Sequence, residues 1–188
     1  ETMNSKILDD TFLEQRAVIR TKTEYFNVLV IGSAHVGKFD FIKHCFRTAF
    51  DKNLVLNKEN GDVNEFVHEF YNNQGNKKVI SLVHIQGHSK DFSIQQWYKA
   101  VKGYIMDKMK TYSEIRKLFA NDKRLQKETP VDSRVHLCLH LFQAPKPRLT
   151  EIVYMKKLQK LVPVMPVIVS RDGDQKLDIE YVKSLKAS

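Results

Sequence analysis

The segment Gly32-Ser-Ala-His-Val-Gly37-Lys38 has the residue types and spacing that could do chemistry. It follows the apolar run Asn27-Val-Leu-Val-Ile31 and precedes Phe39, Ile42, Cys45, Phe46 and Ala49, which recur at helical spacing as far as Phe50. In that context the loop's backbone N–H groups and the helix N-terminus cradle phosphate groups. The lysine neutralises the β and γ oxygens. A working loop of this kind continues with Ser or Thr, whose hydroxyl binds Mg2+. Here the next residue is Phe39, which has no ligating atom, and Asp40 adds a negative charge close to where phosphates would lie. The bland alternative is a glycine turn that only joins strand to helix.

Other chemistry-bearing residues are sparse. His84-x-x-x-His88 has a spacing found among zinc ligands, and His35 should converge with them near the phosphate loop. No fourth Cys, Asp or Glu accompanies them, so ordinary polar loop histidines are expected and no metal site. Cys45 and Cys138 lie in apolar runs without metal-ligand spacing, which fits a reducing cytosolic or nuclear interior.

The elements that position these residues follow from periodicity. Glu65–Tyr71 and Lys78–Ile85 read as two strands around Asn72-Asn-Gln-Gly75, a hairpin turn whose Asn and Gly tolerate positive φ. A long helix is predicted from Ser93 to Phe119, with Trp97, Val101, Tyr104, Ile105 and Tyr112 on one face. A buried strand at Val135–Phe142, a helix at Leu149–Leu161 and a strand at Val164–Val169 follow, then a helix at Gln175–Leu185. Pro166 would sit badly in a central strand unless its missing donor falls at a bulge or a strand start. Strands alternating with helices, apolar throughout where parallel, predict a three-layer α/β/α sandwich with a mainly parallel sheet. Residues 51–62 read as a polar loop, and residues 1–24 as an arm or short helix with Ile7, Leu8, Phe12, Leu13 and Val18 beside charges.

Composition bounds the rest. At 188 residues, 42% apolar and 28% charged, the chain suits one soluble globular domain, and no run of about 18 apolar residues could span a bilayer. The opening ETMNSKILDD lacks the basic-then-apolar order of a secretory signal. An excess of 31 Lys+Arg over 22 Asp+Glu gives +9, which favours anionic partners, although the charges are dispersed as on a solvated surface.

Asp132-Ser-Arg-Val-His-Leu-Cys-Leu-His-Leu-Phe142 resembles the strand D-x-R-V-H-x-C-L-Y-F-I of the septins, a family of GTP-binding cytoskeletal proteins. Leu149-Thr-Glu-Ile-Val-Tyr-Met-Lys-Lys-Leu158 and Val162-Pro-Val-Met-Pro-Val-Ile-Val169 are similar to the septin segments L-x-x-x-D-x-x-F-M-K-x-L and V-N-x-I-P-V-I-A-K-A-D. The resemblance implies a P-loop GTPase-like fold over residues 25–188, the N-terminal two-thirds of a septin G domain, preceded by the arm 1–24.

Residue by residue, the family's chemistry thins out. Phe39 replaces the magnesium hydroxyl, and D-T-P-G-F-G-D aligns with His84-Ile-Gln-Gly-His-Ser-Lys90, which keeps Gly87 alone. Val169-Ser-Arg-Asp172 keeps the guanine-pairing aspartate of A-K-A-D without its lysine. No switch I threonine stands within 51–64, and Thr48 lies only at its edge. The resemblance thus implies a pseudo-GTPase with no catalytic residue and no required cofactor. GTP or GDP would be held weakly, through Gly32, Gly37, Lys38 and Asp172. It also implies a cytoplasmic assembly or scaffold module, at the cytoskeleton or cell cortex, forming a homo-oligomer or a complex with a septin-family or regulatory protein. Alternatives are a divergent GTPase that still binds guanine nucleotide, and a module for phosphoinositide or nucleic acid. Arg16, Arg20 and Lys22 offer a thin basic patch for phosphoinositide contact, whereas aromatics are not interleaved with Arg/Lys as nucleic-acid recognition would require.

Overall fold

A computed structural model of the chain describes residues 22–46, 63–87, 93–125, 128–143 and 147–169. Among these residues eight elements occur, in the order β1 (Glu24–Gly32), α1 (Lys38–Cys45), β2 (Val63–Tyr71), β3 (Lys77–Ile85), α2 (Ile94–Asn121), β4 (Leu137–Gln143), α3 (Leu149–Leu158) and β5 (Val164–Val169). The sheet order is β2-β3-β1-β4-β5. β1 runs parallel to β3 and β4, β4 runs parallel to β5, and β2 returns antiparallel to β3.

β1 is the middle strand, and its sequence explains why. Val28 to Ile31 are all buried, so neither face can meet water. Val28 and Val30 join a core with Ile42 of α1, Leu82 and Leu141, while Leu29 and Ile31 join Trp97, Val101 and Ile105 of α2 and Leu158 of α3. Helices therefore cover both faces, as the predicted three-layer sandwich requires.

The local signals held with adjusted ends. Asn72 closes the β2–β3 hairpin, its Oδ1 accepting from the N–H of Gln74 (3.0 Å) and of Asn76 (2.9 Å), while Gly75 takes φ +78°. α2 begins in a capping box. The Gln96 N–H donates to Ser93 Oγ (3.3 Å) and the Ser93 N–H donates to Gln96 Oε1 (3.1 Å). α1 is shorter than its spacing predicts, ending at Cys45: Phe46 leaves helical geometry at φ −116° and packs against the α1-side core. Pro166 lies on β5, which pairs only with β4 among the described residues, so its missing donor falls on an edge strand. β1 starts at Glu24, inside the predicted arm. The rest of that arm through residue 21, the loop 51–62 and the helix expected at 175–185 lie outside the described residues.

β2 forms the opposite edge. Its face toward α2 carries Glu65, Val67, Glu69 and Tyr71 in alternation, with Val67 and Tyr71 exposed and Lys77 Nζ paired to Glu69 at 2.7 Å.

Residues 131–136, leading into β4, are tied down by a polar cluster. Asn27 Nδ2 donates to the carbonyls of Asp132 (2.7 Å) and Arg134 (2.8 Å), and its N–H donates to His136 Nδ1 (2.9 Å). That bond makes Nδ1 an acceptor, so the His136 proton sits on Nε2, facing Asp132 Oδ2 at 3.3 Å. Arg134 grips Asp132 with two N–H bonds and lies 4.1 Å over the Tyr112 ring of α2. The D-x-R-V-H signature is therefore a structural clasp joining β1, α2 and β4, and His136 is held as a packed residue.

Candidate functional site

The loop between β1 and α1 sits at the carboxyl end of the central strands, where open α/β sheets bind ligands. Gly32 leaves β1 at φ +148°, and a Cβ there would lie 2.3 Å from the Leu141 carbonyl oxygen. Gly37 takes φ +79° as the N-cap of α1. The two glycines whose spacing first marked the loop thus stand where left-handed backbone geometry demands them.

Lys38 opens α1 and is 3% exposed. Its ammonium donates to the Ser33 carbonyl at 2.7 Å and, more loosely, to the Gly32 carbonyl at 3.4 Å. No carboxylate pairs with it among the described residues, and burial pushes its pKa down to about 8. A cation arranged this way is destabilising unless an anion comes to meet it.

His84 lies near the end of β3, opposite Val30 of β1. It is half-buried, and its Nδ1 is sealed from solvent without a hydrogen-bond partner among the described residues. Burial, and then the nearby Lys38 charge, hold its pKa down at about 4, so the ring is neutral at pH 7. Beyond it Gly87 is buried against the loop: a Cβ on Gly87 would fall 2.3 Å from the Gly32 carbonyl oxygen and 2.4 Å from the Ala34 nitrogen. The retained glycine is needed for close backbone approach.

The His84 depression has a definite sign. Its folded pKa of about 4 lies below the ordinary 6.5, so the unfolded chain takes up a proton first as pH falls. Stability should drop between pH ~6.5 and ~4, by ~1–2 kcal/mol from this residue once solvent screening of the half-buried ring is allowed for. In urea denaturation, His84→Asn should lose less stability over that window; equal acid slopes in the two proteins would refute the assignment.

The described residues around the loop do not suit a magnesium ion. The Phe39 ring turns to β2, where its centroid lies 6.2 Å from that of Phe66, and the Lys43 ammonium stands 4.7 Å over it. Phe39 therefore offers a hydrophobic contact and a cationic neighbour in the place of a hydroxyl, and His84 offers a neutral ring beside a lysine in the place of a carboxylate. Neither arrangement draws a hard, oxygen-seeking cation. The expected convergence of histidines is only partly visible, since His35 is exposed and His88 lies outside the described residues. Among the described residues no group of three or more His, Cys, Asp or Glu could hold a metal ion. Gly32, Gly37 and Lys38 come together in one loop facing His84 and Gly87, while Asp172 and the rest of the base-recognition segment after Val169 lie outside the described residues.

A parallel-centred sheet with its first strand feeding a glycine-bounded, lysine-ended loop and a helix defines a P-loop GTPase-like domain. The family model "Septin" matches residues 22–186, and the chain belongs to the septin family. It is 26% identical to Septin-8-B of Xenopus laevis, over 84% of this chain and 36% of that protein. With Neuronal-specific septin-3 of Rattus norvegicus it shares 23% identity, over 91% of this chain and 50% of that protein. The septin GTPase domain from Chlamydomonas reinhardtii superposes with a TM-score of 0.69 at 19% identity, covering 87% of this chain and 58% of that one. The chain thus spans about a third to a half of the curated relatives it matches. No helix among the described residues is long and apolar enough to cross a membrane.

Proposed function

We propose that this septin-family domain is a pseudo-GTPase that works as an assembly module in a septin-type, cytoskeletal complex in the cytoplasm. One observation carries the reading: the phosphate-loop framework is kept to the level of its glycine geometry, while the positions that would recruit magnesium hold Phe39 and His84. Hydrolysis of a nucleoside triphosphate leans on that ion to neutralise developing charge. A domain that keeps the fold without the ion retains its surfaces for other septin-type subunits. Light-scattering mass determination, alone and mixed with a septin G domain, should give a dimer or a mixed complex. GTP turnover should stay at the level of a Lys38→Met control. A strictly monomeric protein in both samples, or turnover above that control, would overturn the proposal.

Buried Lys38 favours a second reading, residual nucleotide binding. An unpaired ammonium so placed is suited to phosphate oxygens, so we expect guanine nucleotide to bind weakly and with the same affinity in EDTA as in excess Mg2+. Calorimetry under both conditions checks this; affinity that collapses in EDTA would show that a divalent ion is held after all.

A further inference from the structure

A second concavity lies away from the phosphate loop, between α2 and the β2-β3-β1 part of the sheet, with a volume of about 230 Å3. One water needs about 10–15 Å3 of such space, so the hollow is roomy enough for a small molecule. Its apolar wall is built from Val67, Val79 and Val83 of the sheet and Val131 and Val135 of the loop before β4. Val67 and Val131 are more than half exposed, so this wall is not closed by the fold itself.

The polar groups at its rim are incompletely used. Glu65 Oε1 accepts from Ser81 Oγ at 2.6 Å, which fixes the carboxylate at the cavity. Its other oxygen, Oε2, stands 3.9 Å from Lys108 Nζ, beyond hydrogen-bond reach. The Lys108 ammonium lies 5.4 Å over the Tyr104 ring, and burial, then Glu65 and Asp107, keep the Tyr104 phenol protonated. Three further polar wall groups are committed: Asp132 to Arg134 and His136, Asn27 to the backbone before β4, and Ser133 Oγ to the Lys108 carbonyl. Beside the Tyr25 and Tyr104 hydroxyls, the cavity thus holds a carboxylate oxygen and an ammonium that face each other only loosely over an apolar hollow. A half-exposed pair at this separation adds almost nothing to stability.

We propose that this cavity binds a small zwitterion with an apolar tail, of the chemical class of free α-amino acids such as leucine. The ligand's ammonium would donate to Glu65 Oε2 and its carboxylate would accept from Lys108 Nζ. The two ligand charges sit on one carbon and so match a pair of opposite charges 3.9 Å apart. The tail lies over the valines, whose exposed methyls supply the apolar burial. The site is separate from the phosphate loop, and its occupancy does not depend on nucleotide.

The test is a titration of the isotope-labelled chain with L-leucine, N-acetyl-L-leucine and L-leucine methyl ester, followed by amide chemical shifts. Leucine should move the amides of Glu65, Ser81, Tyr104 and Lys108. Each blocked analogue removes one charge-assisted contact and should bind about tenfold more weakly or worse. Glu65→Gln keeps an acceptor for Ser81 and should erase the preference for leucine over its N-acetyl form alone. Lys108→Met should erase only the preference over the ester. Unmoved cavity amides at saturating leucine would overturn the proposal, and so would analogues that bind as tightly as leucine, since apolar contact alone would then account for binding.

Discussion

Lys38→Met should make the free protein more stable at pH 7, by about 2 kcal/mol, while abolishing any retention of nucleotide. The distance between an ordinary lysine at 10.5 and the buried value of about 8 corresponds to about 3 kcal/mol against the charged form. Loss of the bonds to the Ser33 and Gly32 carbonyls returns about 1 kcal/mol of that. The pH dependence has a fixed sign. Because the folded state gives up its proton first, wild-type stability rises relative to the variant between pH ~8 and ~10.5. The methionine advantage is then constant below pH 8 and shrinks above it. Denaturant melts of both proteins at pH 7 and pH 10 decide the matter, and a variant less stable than wild type at pH 7 would mean that Lys38 is a structural residue. A side chain that weakens its own fold is one whose benefit must come from a ligand.

The second large effect concerns backbone contact. Gly32→Ala and Gly87→Ala should each cost at least about 3 kcal/mol, since both place a Cβ 2.3 Å from a main-chain carbonyl oxygen. At Gly32 the φ of +148° adds strain of its own. Gly103→Ala is the opposite case. Gly103 lies within α2 with nothing inside 4 Å of an added Cβ, so alanine should stabilise by up to ~1 kcal/mol. Thermal and urea melts of the three variants give the ranking, and a Gly87→Ala protein as stable as wild type would show that the segment after β3 does not rest on the loop.

How far the residues foretold this architecture differs from element to element. β1 was legible because four successive apolar β-branched or leucine residues leave no face for water, and α2 because Trp97, Val101 and Ile105 repeat at steps of four. The end of α1 was not legible, since helical spacing continues past Cys45 while Phe46 takes a non-helical φ against the core. At the site, glycine positions and the lysine were readable from spacing. The carbonyl clasp on Lys38, the sealed His84 nitrogen and the turn of Phe39 toward Phe66 were not, because each depends on strands distant in sequence. The Glu65–Lys108 rim gave no signal at all: an edge-strand glutamate and a helix lysine look like solvated charges until α2 lies over β2.

The alternation of glutamates on β2 bears on how copies of this domain can meet. A symmetric sheet extension centred on Val67 would set Glu65 of each copy against Glu69 of the other, two like-charge pairs in one short ladder. Lys77 at Glu69 and Lys108 near Glu65 temper that repulsion within each copy, so the edge is a weak template for its own image and not a barred one.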